Sequence, residues 1–149
     1  MSTNIYYSYA KINLGLLILN KRDDGYHNIR SIFIELNLAD ELIFQPSSKL
    51  VLTAENNNIK LPLDENNLII QAYRLIRSKT KTVQNEYTIH IRKHIPIFAG
   101  LGGGSSNAAI TLSVLNKLWN LNMSFQDMID FGIQLGSDVP FFLVGGTSL

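Results

Sequence analysis

The 149-residue sequence contains no cysteine, which excludes disulfides, thiolate nucleophiles and zinc sites built on cysteine. It also lacks an excess of either charge, since 13 basic residues face 12 acidic ones and the formal net charge is +1. That balance gives no electrostatic reason to expect a nucleic-acid or membrane partner. With 46% hydrophobic and 17% charged residues, the composition is that of a globular and not of a disordered chain. The length fits one domain, or one domain and a fragment of a second.

The sequence shows neither a leader peptide nor a membrane span. Its first residues, MSTNIYYSYAKIN, lack the basic start and the apolar block of a secretory signal. The one long uncharged stretch, 95–116, is too rich in glycine, serine and asparagine to cross a membrane as a helix. We therefore expect a cytoplasmic protein.

The first half of the chain consists of short apolar runs separated by turn signals, which is typical of β-strands. A helix is predicted from about residue 68, capped by Asn66 or Asn67. The residues expected on its buried face are Leu68, Ala72, Leu75 and Ile76.

A further strand is predicted in EYTIHIRKHI (86–95), with alternate isoleucines on one face. His90 and His94 fall on the other face, and four residues along a strand separate them by about 13 Å, too far to share one metal ion. Lys93 is unusual because it interrupts the apolar face just before a glycine-rich segment.

Two helices are predicted after that segment, and the final residues are predicted to return to β-structure. The first helix is expected to bury Ala108, Leu112, Leu115 and Trp119, and the second to be capped by Ser124 with Asp127 three residues later. SDVPFFLVGG (137–146) predicts a turn that leads into an apolar strand. The order of strands and helices indicates an α+β fold.

The glycine-rich segment IPIFAGLGGGSSNAAITL (95–112) carries the strongest functional signal. Glycines leave backbone N–H groups accessible to phosphate, and the helix that follows adds its own free N–H groups and its dipole. Ser105 and Ser106 add hydroxyls that can bind phosphate or a phosphate-bound Mg²⁺. The segment therefore predicts a polyphosphate site. A flexible connector, or tight packing of the loop on the sheet, is the structural alternative.

Two common phosphate-binding templates do not fit this segment. The Walker loop requires a lysine before the hydroxyl residue, and none precedes Ser105. The dinucleotide-binding fingerprint requires glycine at the position that Ser105 occupies.

PIFAGLGGGSSNAA (96–109) resembles the phosphate-binding motif of the GHMP small-molecule kinases. AKINLGLLI (10–18), RDDGYHNIRSIF (22–33) and GSDVPFF (136–142) resemble further motifs of the family, in the same order. The resemblance implies a fold like domain 2 of ribosomal protein S5. It implies that residues 1–149 form the amino-terminal, ATP-binding domain and that a carboxy-terminal domain is absent from this chain.

The resemblance also implies ATP and Mg²⁺ as cofactors and assigns roles to individual residues. Lys11 and Asp138 match the catalytic lysine and aspartate, although the residues alone favour an exposed lysine and a turn-capping carboxylate. The residues assigned to ATP binding are Lys93, Pro96, Ile97, Phe98, Ala99, Gly100, Leu101, Gly102, Gly103, Gly104, Ser105 and Ser106. Those assigned to the substrate are Asn13, Tyr26 and His27, while Asn67 and Leu68 border the adenine.

The long form GLGGGSSNAA is similar to that of the subgroup acting on 4-diphosphocytidyl-2-C-methyl-D-erythritol. It implies phosphorylation of the 2-hydroxyl of this cytidine diphosphate-linked methylerythritol, in non-mevalonate isoprenoid synthesis. Three alternatives stay open: a mevalonate or homoserine kinase, a nucleotide-binding module without chemistry, and an RNA-contacting domain. The balanced charge argues against RNA. Phe98 and Ser137 depart from the family, which commonly has alanine or glycine at such positions.

Overall fold

The structure, a computed structural model, describes residues 4–21, 25, 27–55, 61–80 and 85–148. Its elements in chain order are β1 (Ile5–Lys21), β2 (His27–Ser47), β3 (Val51–Ala54), α1 (Leu68–Ser78), β4 (Glu86–Arg92), α2 (Gly103–Leu118), α3 (Phe125–Leu135), α4 (Val139–Val144) and β5 (Thr147–Ser148). Strands and helices follow one another much as the α+β prediction expects.

One mixed sheet forms the first layer, in the strand order β1-β2-β4-β3. All its strand pairs are antiparallel except β3 with β4, and β5 pairs with β2 beside Phe33 and Ile34. The core joins apolar strand residues such as Leu42, Ile89 and Ile91 to apolar residues of the helices. Within the described part of the chain, no helix is both long enough and apolar enough to cross a membrane.

The two helix starts that carry side-chain caps agree with the sequence. The side chain of Asn67 accepts a hydrogen bond from the N–H of Ile69 at 2.9 Å and so caps α1. Ser124 and Asp127 cap α3 reciprocally. Ala72 and Ile76 are buried as predicted, but Leu68 and Leu75 are half-buried, because α1 turns a different set to the core. That set consists of Ile69, Ile70, Ala72, Tyr73 and Ile76.

The central helix, α2, packs against the other three helices and against β1 and β2. Ala108, Leu112 and Leu115 are fully buried, which confirms their predicted positions, while Trp119 lies just past the helix end and is half-buried. The interior position of α2 fixes its first residues relative to the sheet.

The predicted strand at 137–146 is wrong, because most of this segment forms the short helix α4. Pro140 lies in the first turn, where a proline needs no N–H partner and its backbone angle suits a helix. Val139 and Phe142, three residues apart, are both buried. Strand structure appears only at β5, after Gly145 and Gly146 have ended the helix with positive φ angles.

β1 and β2 are longer than the separate strands predicted from the sequence. Their pairing shifts between Tyr9 and Lys11, so that Tyr9 faces Ala39 whereas Lys11 faces Glu35. Because of this irregularity Ala10 and Lys11 are both buried, although neighbours on a regular strand point to opposite faces. Beyond it, residues 14–21 and 27–32 pair as an arm with many exposed apolar side chains.

Candidate active site

The glycine loop, residues 96–102, connects β4 to α2. Gly100 and Gly102 have positive φ angles of 73° and 69°, which glycine adopts readily. Gly102 is also the residue before α2, and no side chain caps this helix or places an acidic group in its first turn. Among the described residues, the first N–H groups of α2, those of Gly103, Gly104 and Ser105, therefore have no side-chain acceptor.

The loop and the start of α2 line a cavity of about 310 Å³. Every residue that the sequence assigned to ATP binding lines this cavity except Ser106. Ser106 is 1% exposed, and its N–H donates to the carbonyl of Gly102 at 2.9 Å, so the structure does not bring its hydroxyl to the cavity. Asn67 and Leu68 also line this cavity.

Sequence reasoning missed four further residues of the cavity wall, Leu61, Pro62, Asn66 and Asn107. The first three lie in the connection before α1, which carries no motif and is brought to the glycine loop only by the packing of α1 on α2. Asn107 lies within the quoted motif but one position past the residues assigned.

Lys11 and Asp138, predicted as a catalytic pair, do meet. The ammonium of Lys11 lies 3.2 Å from Oδ2 of Asp138, and it donates to Oδ1 of Asn13 at 2.5 Å. It also lies 5.1 Å from the centre of the Phe33 ring, a cation–π distance. The Lys11 side chain is 9% exposed and that of Asp138 31%, so the pair stands at the boundary between core and solvent.

The glycine loop is held against this pair. The backbone N–H of Lys11 donates to the carbonyl of Leu101 at 2.9 Å. A Cβ added at Gly102 would lie 2.7 Å from the Phe142 ring and 3.0 Å from Cγ of Lys11. The loop, the lysine and the helix that follows Asp138 thus form one packed unit, and the space requires glycine at 102.

Of the three residues predicted to bind substrate, the two that the structure describes, Asn13 and His27, do not lie together. Asn13 bridges Lys11 and Ser31, since its Nδ2 donates to Oγ of Ser31 at 2.9 Å. His27 is exposed at the far end of the arm, where it pairs with Lys21. Tyr26 lies outside the described residues.

Phe98, at the rim of the cavity, has a positive φ of 61° and a fully exposed ring. A side chain in this backbone region costs about 1–2 kcal/mol relative to glycine. Nothing in the described residues explains an aromatic ring at this position.

Comparison with known proteins identifies the family of this chain. The family model described as "GHMP kinases N terminal domain" matches residues 67–146, which include the glycine loop and Asp138. The chain belongs to the GHMP kinase family. Members of this family are ATP-dependent kinases, and the match confirms the family resemblance of the sequence motifs.

Several curated GHMP kinases are similar over nearly the whole chain. A 4-diphosphocytidyl-2-C-methyl-D-erythritol kinase of Prosthecochloris aestuarii is 48% identical over 93% of this chain, and one of Enterococcus faecalis is 45% identical over 93%. The matches cover 48% and 49% of those proteins. The chain therefore spans about half the length of the curated relatives it matches.

Solved structures agree with the fold. A crystal structure of 4-(cytidine 5'-diphospho)-2C-methyl-D-erythritol kinase superposes with a TM-score of 0.79 at 34% identity, covering 97% of this chain and 50% of that one. The Methanococcus jannaschii mevalonate kinase superposes with a TM-score of 0.70 at 16% identity, over 98% of this chain and 52% of its own. These matches confirm the predicted α+β fold of the ribosomal protein S5 domain 2-like type.

Proposed function

We propose that this GHMP kinase transfers the γ-phosphoryl group of ATP to the 2-hydroxyl of 4-diphosphocytidyl-2-C-methyl-D-erythritol, a step of non-mevalonate isoprenoid synthesis. The observation that carries the proposal is the Lys11–Asp138 pair, packed against the glycine loop. Relatives named for this activity, at 42–48% identity, support the choice of substrate. The likeness to mevalonate kinases extends only to the fold.

The proposed nucleotide site is the cavity beside the glycine loop. The uncapped N–H groups of Gly103, Gly104 and Ser105 and the dipole of α2 favour a phosphate chain at this position. Asn67 and Leu68, which line the same cavity, are proposed to border the adenine. Both ends of the predicted nucleotide thus have a counterpart in one cavity.

Mg²⁺ fits this site when it is bound mainly by the phosphates of ATP. No three His, Asp or Glu side chains of the described residues converge as a metal cage. Mg²⁺ in kinases is held mostly by phosphate oxygens and water with one or two protein oxygens. The hydroxyl of Ser105, in the first turn of α2, can supply one, and the ion then offsets phosphate charge.

In the proposed reaction Asp138 accepts the proton of the substrate hydroxyl. The hydroxyl oxygen bonds to the γ-phosphorus, the bond from that phosphorus to the β–γ bridging oxygen breaks, and ADP leaves. An ammonium has three N–H donors, and within the described residues that of Lys11 donates to Asn13 and lies 3.2 Å from Oδ2 of Asp138. An N–H that is not directed at these two side chains is available to the transferring phosphoryl group, where it offsets negative charge.

For the substrate we propose contacts with Asn13, Tyr26 and His27. Asn13 adjoins Lys11 and therefore belongs beside the hydroxyl that reacts. His27 lies eight residues along β2 from Glu35, the partner of Lys11, which is up to roughly 26 Å at full strand extension. A long diphosphocytidyl substrate, lying along the arm with its base near His27, suits such a separation.

We further propose that residues 1–149 are the amino-terminal, ATP-binding domain of the enzyme. The family model is that of an N-terminal domain, and the matched relatives are about twice as long. A second domain that completes the substrate pocket is then part of the active protein, which we expect to act in the cytoplasm, where ATP is available.

The test is an ADP-release assay on the full-length protein, with the diphosphocytidyl substrate, mevalonate and homoserine compared. Turnover is expected with the first only. Asp138→Asn keeps the shape of the side chain but removes the base, so turnover should fall about 10²- to 10⁴-fold while ATP binding remains. Wild-type turnover by Asp138→Asn would remove this residue from the mechanism, and turnover of mevalonate would overturn the substrate.

A further inference from the structure

A buried polar cluster lies between the sheet and the first turns of α2. At its centre is Asp40 of β2, which is fully buried. Its Oδ1 accepts from the backbone N–H of His94 at 2.8 Å and of Ile95 at 2.9 Å. Its Oδ2 accepts from the ammonium of Lys93 and from Nδ2 of Asn107, the latter at 2.9 Å. One carboxylate therefore receives four donors, and we call this group the Asp40 cluster.

The donors of the Asp40 cluster flank the glycine loop. Lys93, His94 and Ile95 immediately precede it, and Asn107 follows it in the second turn of α2. The Nδ2 of Asn107 also donates to Oγ of Ser8 on β1 at 2.6 Å. Both ends of a loop rich in glycine are thus fastened to the same point of the sheet.

Stability alone does not account for an ion pair at this depth. The Lys93 side chain is 5% exposed and that of Asp40 is fully buried, and replacing such pairs with well-packed apolar residues is often neutral or stabilising. Geometry offers a reason, because a glycine-rich segment has many accessible backbone conformations unless its ends are fixed. Fixed ends hold the loop N–H groups in one arrangement before a ligand arrives.

We propose that Asp40 is a positioning residue for nucleotide binding, and that Lys93 acts through Asp40 instead of contacting phosphate. The proposal rests on the proposed function, since it takes the glycine loop to bind ATP. A Cβ on Gly103 would come within 3.0 Å of Nζ of Lys93, so the ammonium lies directly behind the first residue of α2. Its hydrogen bonds run to Asp40 and, at 3.5 Å, to Oδ1 of Asn107.

The first test needs no nucleotide. Amide hydrogen exchange is measured at Lys11 and Ser106, whose N–H groups donate to the carbonyls of Leu101 and Gly102 in the glycine loop. The wild type is compared with Asp40→Asn, which removes the charge but keeps the shape, and exchange at these two positions is expected to become at least about tenfold faster in the variant.

The matched control is Glu86→Gln, at the other end of β4, where the carboxylate accepts from Tyr73 at 2.5 Å and from Arg77 at 3.1 Å. It should leave exchange at Lys11 and Ser106 unchanged.

The second test compares ATP affinity in Asp40→Asn, Lys93→Met and the double variant of the full-length protein. Asp40→Asn is expected to weaken binding about 10- to 100-fold, because the N–H groups no longer share one arrangement. If Lys93 acts through Asp40, the double variant binds ATP about as weakly as Asp40→Asn alone. If Lys93 contacts phosphate directly, the two losses multiply and this part of the proposal is overturned.

The outcomes separate this inference from the proposed function. A loop that loosens only in Asp40→Asn supports the role of Asp40 in fixing the loop. A wild type that binds no ATP refutes the proposed function, and with it the link from the fixed loop to nucleotide binding. Wild-type exchange in Asp40→Asn, or equal loosening in Glu86→Gln, refutes the positioning role. Should Asp40→Asn not fold, Asn107→Ala releases only the α2 side, and unchanged exchange at Ser106 in that variant would likewise refute it.

Discussion

The starts of α2 and α3 differ although both helices are well formed. Ser124 and Asp127 cap α3 through both their side chains and backbone groups. At the start of α2, Gly102 stands at the position of Ser124 and Ser105 at that of Asp127, and no side chain of the described residues caps this helix. A helix loses stability when its first N–H groups lack acceptors and when glycine occupies its first turn. The chain caps α3 with side chains, whereas the first N–H groups of α2 are available to an acceptor other than its own capping side chains.

The difference assigns separate purposes to the two helix starts. At α3 local side-chain hydrogen bonds cap the helix, and its start does not line the cavity. At α2 they are missing beside a cavity, next to Lys11 and Asp138, where a phosphate group can replace them. Substitutions at the start of α2 should therefore weaken ATP binding by more than their effect on the free energy of unfolding explains. Substitutions at the start of α3 should change the free energy of unfolding only.

The largest effect is expected from Gly102→Ala. The new Cβ would collide with the ring of Phe142, and the φ of 69° is unfavourable for alanine. Strain and overpacking together should cost about 2–5 kcal/mol in the free energy of unfolding. ATP binding should be lost, because relief of the collision moves the loop away from Lys11. Calorimetric titration and thermal unfolding measure both, and an unaltered ATP affinity would contradict the packed arrangement of loop and lysine.

Gly104→Ala should change stability and binding in opposite directions. Gly104 is exposed within α2, and its added Cβ would meet only Leu68 at an ordinary 3.5 Å. Removing a helical glycine should raise the free energy of unfolding by about 0.5–1 kcal/mol. The methyl group should weaken ATP binding by about tenfold, or 1.4 kcal/mol, because it lies where phosphate approaches. A variant that gains stability at unchanged ATP affinity would show that phosphate does not approach this face.

Ser124→Ala, at the start of α3, should lower stability and leave ATP binding unchanged. Loss of the cap is expected to lower the free energy of unfolding by about 1 kcal/mol. ATP affinity should not change, since the start of α3 does not line the cavity. Ser124→Thr keeps the hydroxyl and serves as the control, with smaller destabilisation. If Ser124→Ala alone weakened ATP binding, the separation between the two helix starts would fail.

The smallest effect concerns pH. Hydrogen bonds from the side chain and the backbone N–H of Ser124 lower the pKa of Asp127 below its usual 3.8. A lowered pKa in the folded state means that the stabilisation is complete above about pH 4 and is lost as the pH falls through the folded value. In thermal unfolding between pH 2 and 6, Asp127→Asn should therefore lose less stability on acidification than the wild type. Identical pH profiles would contradict the capping role of this carboxylate.

Several features of the molecule are readable in the sequence because they are local. Asn67, Ser124 and the glycine loop each act within a few residues, so composition and spacing suffice to place them. The strand predicted at 137–146 was wrong because proline suits both a turn and the first turn of a helix. Its short apolar run fits a strand as well as a helix.

Other features depend on contacts between distant parts of the chain. The burial of Lys11 follows from a shift in the pairing of β1 with β2, which no local pattern predicts. Asp40 and Lys93 are 53 residues apart. The only signal for their contact was that Lys93 interrupts an apolar strand face, which indicates a buried lysine in need of a carboxylate. Nothing in the sequence said which carboxylate.

The central claim is that the bare N–H groups at the start of α2 hold the phosphates of ATP and direct the last one to Asp138. The most direct measurement is a crystal structure of the protein with a non-hydrolysable ATP analogue and Mg²⁺. The account predicts phosphate oxygens within hydrogen-bond distance of the N–H groups of Gly103, Gly104 or Ser105, with the γ-phosphate beside the Lys11–Asp138 pair. A nucleotide bound with its phosphates away from α2, or with the γ-phosphate remote from Asp138, would contradict it.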